Sequence, residues 1–305
     1  MTLISLIAAL VLEQFRPLGN RNRVLLLFIR YANHLERTLN AGYNRHGVLA
    51  WLAAMVPVLL LAGGGFYLLC AISPVLGFVW NVLVLYLTMG FRHFSSYFSE
   101  ISLALNDGQE LEAKQALASW TNQPTAELSI GEVSRLAIEQ GVVDSYRHVF
   151  GTMFWFVLLP GPTGAVLYRF TQLLAQKWGD RAADDLFGRF ASRAGEWLDW
   201  LPVRLTAASF AVMGDFEDAV YCWRSQARTW GNYATGILLA SAAGALGVKL
   251  GDPLRQNYTI NFRPELGVGD EADPQYLKSA VGLVWRTVLL WLFVILLISV
   301  VSLFG

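Results

Sequence analysis

The stretch VLAWLAAMVPVLLLAGGGFYLLCA, Val48–Ala71, carries no charged side chain, and after Ile72-Ser73 comes a second such stretch, PVLGFVWNVLVLYLTMG, Pro74–Gly90. Each is close to the ~20 apolar residues that a bilayer core requires of a helix. The Ser73-Pro74 step between them predicts a tight turn, and so an antiparallel transmembrane hairpin over residues 48–90. No soluble fold accounts for two adjacent uncharged runs of this length. The expected fold class is all-α: a polytopic transmembrane helical protein with broken or re-entrant helices and a polar helical lobe.

Reading outward from the hairpin, Met1 to Leu12 is apolar but short, and it lacks the basic lead and small-x-small site of a cleaved signal. It is expected to remain as a tilted or interfacial helix. Arg16, Arg21, Arg23, Arg30, Arg37 and Arg45 then face only Glu36, a bias that places residues 16–45 in the cytoplasm. Residues 91–147 are polar with helical patterning and form the expected soluble lobe, turning at Asn106-Asp107-Gly108. Val149 to Ala175 is apolar but broken by Pro160-Gly161-Pro162, a break that membrane depth tolerates only against protein or a water-filled cavity. Leu198 to Met213 contains Pro202 and Arg204, and Tyr233 to Val248 is dense in Gly, Ala and Ser, which let helices approach closely in lipid. A Pro/Gly-rich loop, Gly251 to Asp273, precedes the last apolar run, Val281 to Phe304. The reading is one membrane-embedded domain over residues 1–305, with residues 148–305 holding the broken helices, the loop and the final span.

Composition agrees. Of 305 residues 55% are hydrophobic and 15% charged, with mean hydropathy +0.43 and zero formal net charge. A soluble domain carries about a quarter charged residues, and a neutral chain has no basic field for nucleic acid. Cys70 and Cys222 lack zinc-site or disulfide spacing, and His34, His46, His93 and His148 never fall three or four apart, so no metal site is expected. Gly63-Gly64-Gly65 has no following Lys-Ser/Thr and lies inside an apolar run, which points to helix packing rather than a phosphate loop. Nucleophile elbows, HExxH and redox CxxC are absent.

Ionisable groups at the edges of apolar segments are the informative ones, because charge in lipid is expensive. They are Arg92 and His93 after the second span; Glu139, Asp144, Arg147 and His148 leading into the broken helix; Tyr168 and Arg169 leaving it; Asp199 and Arg204 around Pro202; Asp215, Glu217 and Asp218 beyond; and Lys249. Taken singly, each cation can snorkel to the headgroups and each acid can be solvated. A buried Asp199–Arg204 pair is expected if Pro202 kinks the helix.

Three runs, Leu159-Pro160-Gly161-Pro162-Thr163-Gly164-Ala165-Val166-Leu167-Tyr168-Arg169, Asp199-Trp200-Leu201-Pro202-Val203-Arg204-Leu205-Thr206-Ala207 and Ala243-Gly244-Ala245-Leu246-Gly247-Val248-Lys249-Leu250-Gly251, resemble the CobD/CbiB family of membrane proteins in the family's order. The resemblance covers most of residues 90–285. The opening residues and the wholly apolar C-terminus are also similar to the related AmpE branch. Where the family pattern has an acidic stretch, this chain reads Ile138-Glu139-Gln140-Gly141-Val142-Val143-Asp144-Ser145-Tyr146-Arg147, with Val143 for a carboxylate, Asp144 for an amide and Arg147 for an acid. A divalent metal there would lose two oxygen ligands and meet a cation.

What the resemblance implies is attachment of aminopropanol (phosphate) to adenosylcobyric acid, by an ATP-dependent ligase of the adenosylcobinamide-phosphate synthase type. ATP and Mg would then be required. Glu139 or Asp144 would deprotonate the attacking ammonium; Arg92, Arg169 and Arg204 would hold phosphate oxygens; His93, Tyr168, Asp199 and Lys249 would complete substrate binding. The alternative is a non-enzymatic AmpE-like signalling protein. Either way the expected setting is the bacterial inner membrane, multi-pass, with the lipid bilayer as partner, a corrinoid as ligand if the enzyme reading holds, and a homo-oligomer through small-residue helix faces.

Overall fold

Ser73 ends one helix and starts the next. Its backbone N–H closes the helix Asn44–Ile72 on the Leu69 carbonyl, and its hydroxyl accepts from the Val75 amide to open Pro74–Thr88, where Pro74 stands at the first turn and needs no N–H partner. In the computed structural model the chain runs α1 (Thr2–Phe15), α2 (Arg23–Leu39), α3 (Asn44–Ile72), α4 (Pro74–Thr88), α5 (Phe91–Asn106), α6 (Glu110–Thr121) and α7 (Ile130–Ser145). A π-helical turn, Tyr146–Phe150, leads into α8 (Gly151–Leu158), α9 (Thr163–Gly179), α10 (Arg189–Met213), α11 (Phe216–Gln226), α12 (Tyr233–Leu246) and α13 (Pro274–Phe304). Between the last two helices lie two short antiparallel ladders, β1 (Leu250–Gly251) with β4 (Glu265–Leu266) and β2 (Leu254–Gln256) with β3 (Thr259–Asn261). The structure describes residues 2–15, 23–179, 186–256 and 259–304, and no side chain at 23, 91–94, 255–256, 259–261 or 302–304. Arg16 and Arg21 of the basic segment lie outside the described residues, as do the side chains of Arg23, Arg92 and His93.

The fold is all-α, as the uncharged hairpin and the helical periodicity predict, and among the described residues two helices are long and apolar enough to cross a bilayer: Asn44–Ile72 and Pro274–Val301. Only 17% and 28% of their most apolar stretches are buried. Leu60, Leu61 and Leu68 on the first, and Leu289, Phe293 and Val301 on the second, point outward. A core helix of a soluble protein would cover such side chains; outward-facing Leu and Phe along a whole helix require an apolar solvent. This is a membrane protein. Shorter apolar helices are Thr2–Phe15, Pro74–Thr88 and Tyr233–Leu246.

The chain divides into two compact units, each assembled from two separate stretches: residues 1–93 with 147–201, and residues 94–146 with 202–305. In the first, Phe28 and Ala32 of α2, Ala50, Ala54 and Met55 of α3, and Phe170, Leu174 and Trp178 of α9 form one buried cluster. The glycine triplet serves close packing. A Cβ on Gly65 would stand 2.9 Å from the Trp80 ring, and one on Gly63 would stand 2.7 Å from Thr163. Trp80 also donates to the Ala62 carbonyl at 2.9 Å, so its indole N–H is satisfied at apolar depth. The Pro160-Gly161-Pro162 break separates α8 from α9, with Gly161 at φ +63° against the Phe66 ring and Thr163 donating to the Pro160 carbonyl at 2.7 Å.

In the second unit, α7 starts on a reciprocal cap in which Ser129 and Glu132 satisfy each other's amides. It packs against α12 and α13. Helix α12 is buried without interruption from Gly236 to Ala245. Its small residues meet backbone directly: a Cβ on Gly244 would be 2.4 Å from the Asp218 carbonyl oxygen and one on Gly236 2.2 Å from that of Ala227, while Ser241 donates to Ala207 O at 2.7 Å. The small residues of α12 thus serve helix packing within this unit. The Gly251 to Asp273 segment, expected as a plain loop, instead carries the ladders, a pattern too short to leave a periodic signal.

Candidate functional site

Helix α7 places Arg135 and Glu139 four residues apart, on one face. Both are buried, at 5% and 6% exposure, inside a stretch whose neighbours Val133, Ala137, Ile138 and Val142 form core. Two charges at such a position need partners, and the ladder segment supplies them. Arg263 Nη1 donates to Glu139 Oε2 at 2.6 Å and its Nη2 to Oε1 at 3.3 Å; the Gly251 amide donates to Oε1 at 2.8 Å. Arg135 Nη1 reaches Asp252 Oδ2 at 3.0 Å. Arg263 also donates to the carbonyls of Gly251 and Asp252, and its guanidinium lies 5.5 Å from the centre of the Trp230 ring. Glu139 is thus a clamp on the ladder, with both oxygens engaged.

Asp144, one turn further along α7, is half-buried and accepts from Trp120 Nε1 at 2.9 Å. Among the two carboxylates expected to act as base it is the less committed. Arg204 lies 5.9 Å from the centre of the Tyr233 ring. Lys249 meets Glu265 at 3.2 Å and Glu271 at 3.9 Å, and its ammonium is raised from its ordinary 10.5 by the hydrogen bond to Glu265 and then by the charges of Glu265 and Glu271. These residues all belong to the second unit.

In the first unit, Tyr168 is fully buried on α9 and donates to Asp199 Oδ1 on α10 at 2.9 Å. The close approach of α8 makes this possible: a Cβ on Gly151 would lie 2.3 Å from Tyr168 Cζ, so only glycine leaves room for the phenol. Trp155 of α8 donates to the Leu198 carbonyl at 3.0 Å, tying α8 to the same end of α10. Arg169 is buried beside them in sequence, and Gln172, one turn on, is buried against Gly195. His148, in the π-helical turn, packs on Gly90, where a Cβ would stand 2.5 Å from Nδ1. A cavity of about 340 Å³ opens at the Pro160-Gly161 break, but its walls are Thr2, Phe66, Asn81 and the end of α8, and among the described residues none of the expected charged side chains lines it. Its lining mixes polar and apolar surface.

Tyr168, Arg169 and Asp199 therefore share the first unit, whereas Glu139, Asp144, Arg204 and Lys249 share the second. Sequence reading passed over Arg135, Asp252, Arg263 and Trp230. Arg135 and Glu139, both ionisable and four apart in an otherwise apolar face, are the one signal that could have marked the clamp. Among the described residues no three of His, Cys, Asp and Glu gather into a metal-binding group.

Comparison with known proteins places this architecture. Residues 6–284 match the family model described as CobD/Cbib protein. A relative from Stutzerimonas stutzeri (strain A1501), named Cobalamin biosynthesis protein CobD, is 34% identical over 298 residues, covering 96% of each chain. One of the same name from Chromobacterium violaceum is 36% identical over 219 residues, 72% of this chain and 70% of its own, and one from Photorhabdus laumondii subsp. laumondii is 26% identical over 271 residues, 83% of each. No solved structure matches significantly. With the match running from the first helix into the last, the chain belongs to the CobD/CbiB family.

Proposed function

We propose that this chain works in cobalamin biosynthesis as a multi-pass inner-membrane protein that joins aminopropanol (phosphate) to adenosylcobyric acid, giving adenosylcobinamide (phosphate). The observation that carries the reading is the family match over residues 6–284, together with 34% identity across 96% of a relative named for cobalamin biosynthesis. The bond formed is an amide. The substrate carboxylate takes the terminal phosphoryl group of ATP and releases ADP; the amine, having lost a proton, attacks the acyl phosphate; inorganic phosphate leaves. Such a reaction needs cations on phosphate oxygens and a base for the ammonium proton.

Asp144 is the proposed base, since Glu139 is held by Arg263 and by the Gly251 amide. Arg92, Arg169 and Arg204 are the proposed phosphate-binding cations. Tyr168, oriented by its hydrogen bond to Asp199, is proposed to position substrate, with His93 and Lys249 as further contacts. Magnesium enters this scheme with the nucleotide: the acidic stretch of α7 offers one engaged and one half-buried carboxylate, which is not the donor set of a resident metal.

The test is genetic. A strain lacking this gene and fed cobyric acid should be unable to make cobalamin and should recover when the gene is returned. Asp144→Asn and Arg169→Ala should restore growth poorly while accumulating to wild-type levels in the membrane. Normal cobalamin synthesis in the deletion strain, with an altered β-lactam response, would instead favour the AmpE-like signalling role.

A further inference from the structure

The cavity at the helix break has a chemical bias that the proposed ligation does not use. It holds about 340 Å³ and is bordered by Thr2, Phe66, Asn81, Phe156, Leu159 and Pro160, within the range of small-molecule sites. Asn81 sits in the middle of apolar α4 and is 3% exposed, yet its Oδ1 has no hydrogen-bond partner among the described residues. Its neighbours on the same helix do have partners: Trp80 donates to Ala62 O and Thr88 to Val84 O. An amide buried among apolar helices with an unmatched acceptor is costly to keep, and a ligand is one way to satisfy it.

The end of α8, which also lines the cavity, is rich in acceptors. A helical carbonyl is capped by the amide four residues on, and for Phe156 and Leu158 that residue is Pro160 and Pro162, neither of which has an N–H. The end of α8 therefore presents oxygen, with the negative end of the helix dipole behind it. Phe66, Val157, Leu159 and Pro160 supply apolar surface. Gly161, at φ +63°, packs against the Phe66 ring so closely that an added Cβ would stand 2.7 Å from it.

We propose that this cavity binds a small amphiphile with an aliphatic body and a single hydrogen-bond donor, hydroxyl or ammonium, directed at Asn81 Oδ1 and the carbonyls that Pro160 and Pro162 leave unmatched. The donor can come from a lipid headgroup or from a free alcohol or amine. The full chain is reconstituted in vesicles and photolabelled with a diazirine-bearing octanol and, separately, with the same probe ending in methyl. The hydroxyl probe should label the peptide spanning Phe156–Gly161 about five-fold more than the methyl probe, the factor one neutral hydrogen bond supplies. Asn81→Leu should bring that ratio near one while both probes still label outward-facing α13 equally. In the wild-type chain, unlabelled octanol should compete and octane should not, which keeps the test valid if the variant fails to fold. Labelling that is lower in phosphatidylethanolamine vesicles than in phosphatidylcholine, whose headgroup lacks a donor, identifies the headgroup as occupant; equal labelling identifies a free molecule. A wild-type ratio near one, a ratio that Asn81→Leu leaves unchanged, or no labelling of this peptide by either probe overturns the proposal.

Discussion

Truncating Arg263 to alanine should loosen the ladder segment from α7 at a cost of about 3 kcal/mol. Removing one partner of a buried pair typically costs 3–5 kcal/mol, because the other charge stays behind without its counter-ion. Here the side chains are 8% exposed for Glu139 and 20% for Arg263, so the stranded carboxylate remains largely out of water. Among the described residues it would keep the Gly251 amide at 2.8 Å, while the carbonyls of Gly251 and Asp252 lose this donor and Trp230 its cation. The retained amide and the water admitted by the missing guanidinium put the estimate at the lower end. Glu139→Gln should cost less, about 1 kcal/mol, since the amide oxygen can still accept from Gly251. The double variant should lose less than the sum of the two, the mark of a direct interaction. Equilibrium unfolding in mixed micelles gives the energies, and hydrogen exchange at the Gly251 and Asp252 amides reports whether the loss is local. An Arg263→Ala chain within ~0.5 kcal/mol of wild type, with both amides as protected as before, would refute the clamp.

Tyr168→Phe removes the hydrogen bond to Asp199 in a fully buried setting and should cost about 1.5 kcal/mol in the same unfolding measurement, as a bond to a charged acceptor does; an unchanged midpoint would deny that the bond forms. Cys222 is fully buried, and its thiol is pushed up to about 11, first by burial and then by the charge of Asp218. At pH 8 iodoacetamide should leave it unmodified in the folded chain and alkylate it after denaturation. Lys249 titrates above its ordinary 10.5 because it donates to Glu265, so its contribution to stability is fully present below pH 10.5 and disappears as pH rises through the folded value. The stability gap between wild type and Lys249→Met should accordingly be flat up to that pH and close above it.

The helices were legible wherever a strong local rule operated. Long apolar runs gave α3 and α13, Ser73-Pro74 fixed the hairpin turn, and the Pro160-Gly161-Pro162 break separates α8 from α9 where it was expected. Other features answer to no local rule. The β ladders are two or three residues long, and the π-helical turn at Tyr146–Phe150 has no composition of its own. Glu139 was singled out as a candidate base from its place at the edge of an apolar segment, but its partner is 124 residues away, in a segment that reads only as Pro/Gly-rich. Pairing across that distance is set by packing of α7, α12 and α13. Tyr168 and Asp199, by contrast, fall within the family-like runs, and 31 residues separate them.

The proposed reaction is tested most directly with the purified full chain in lipid vesicles, supplied with ATP, Mg²⁺, adenosylcobyric acid and aminopropanol phosphate. The expected result is adenosylcobinamide phosphate and ADP in equal amounts, with Asp144→Asn forming neither at a comparable rate. Folded, vesicle-inserted protein that consumes no ATP and yields no amide under those conditions would contradict it.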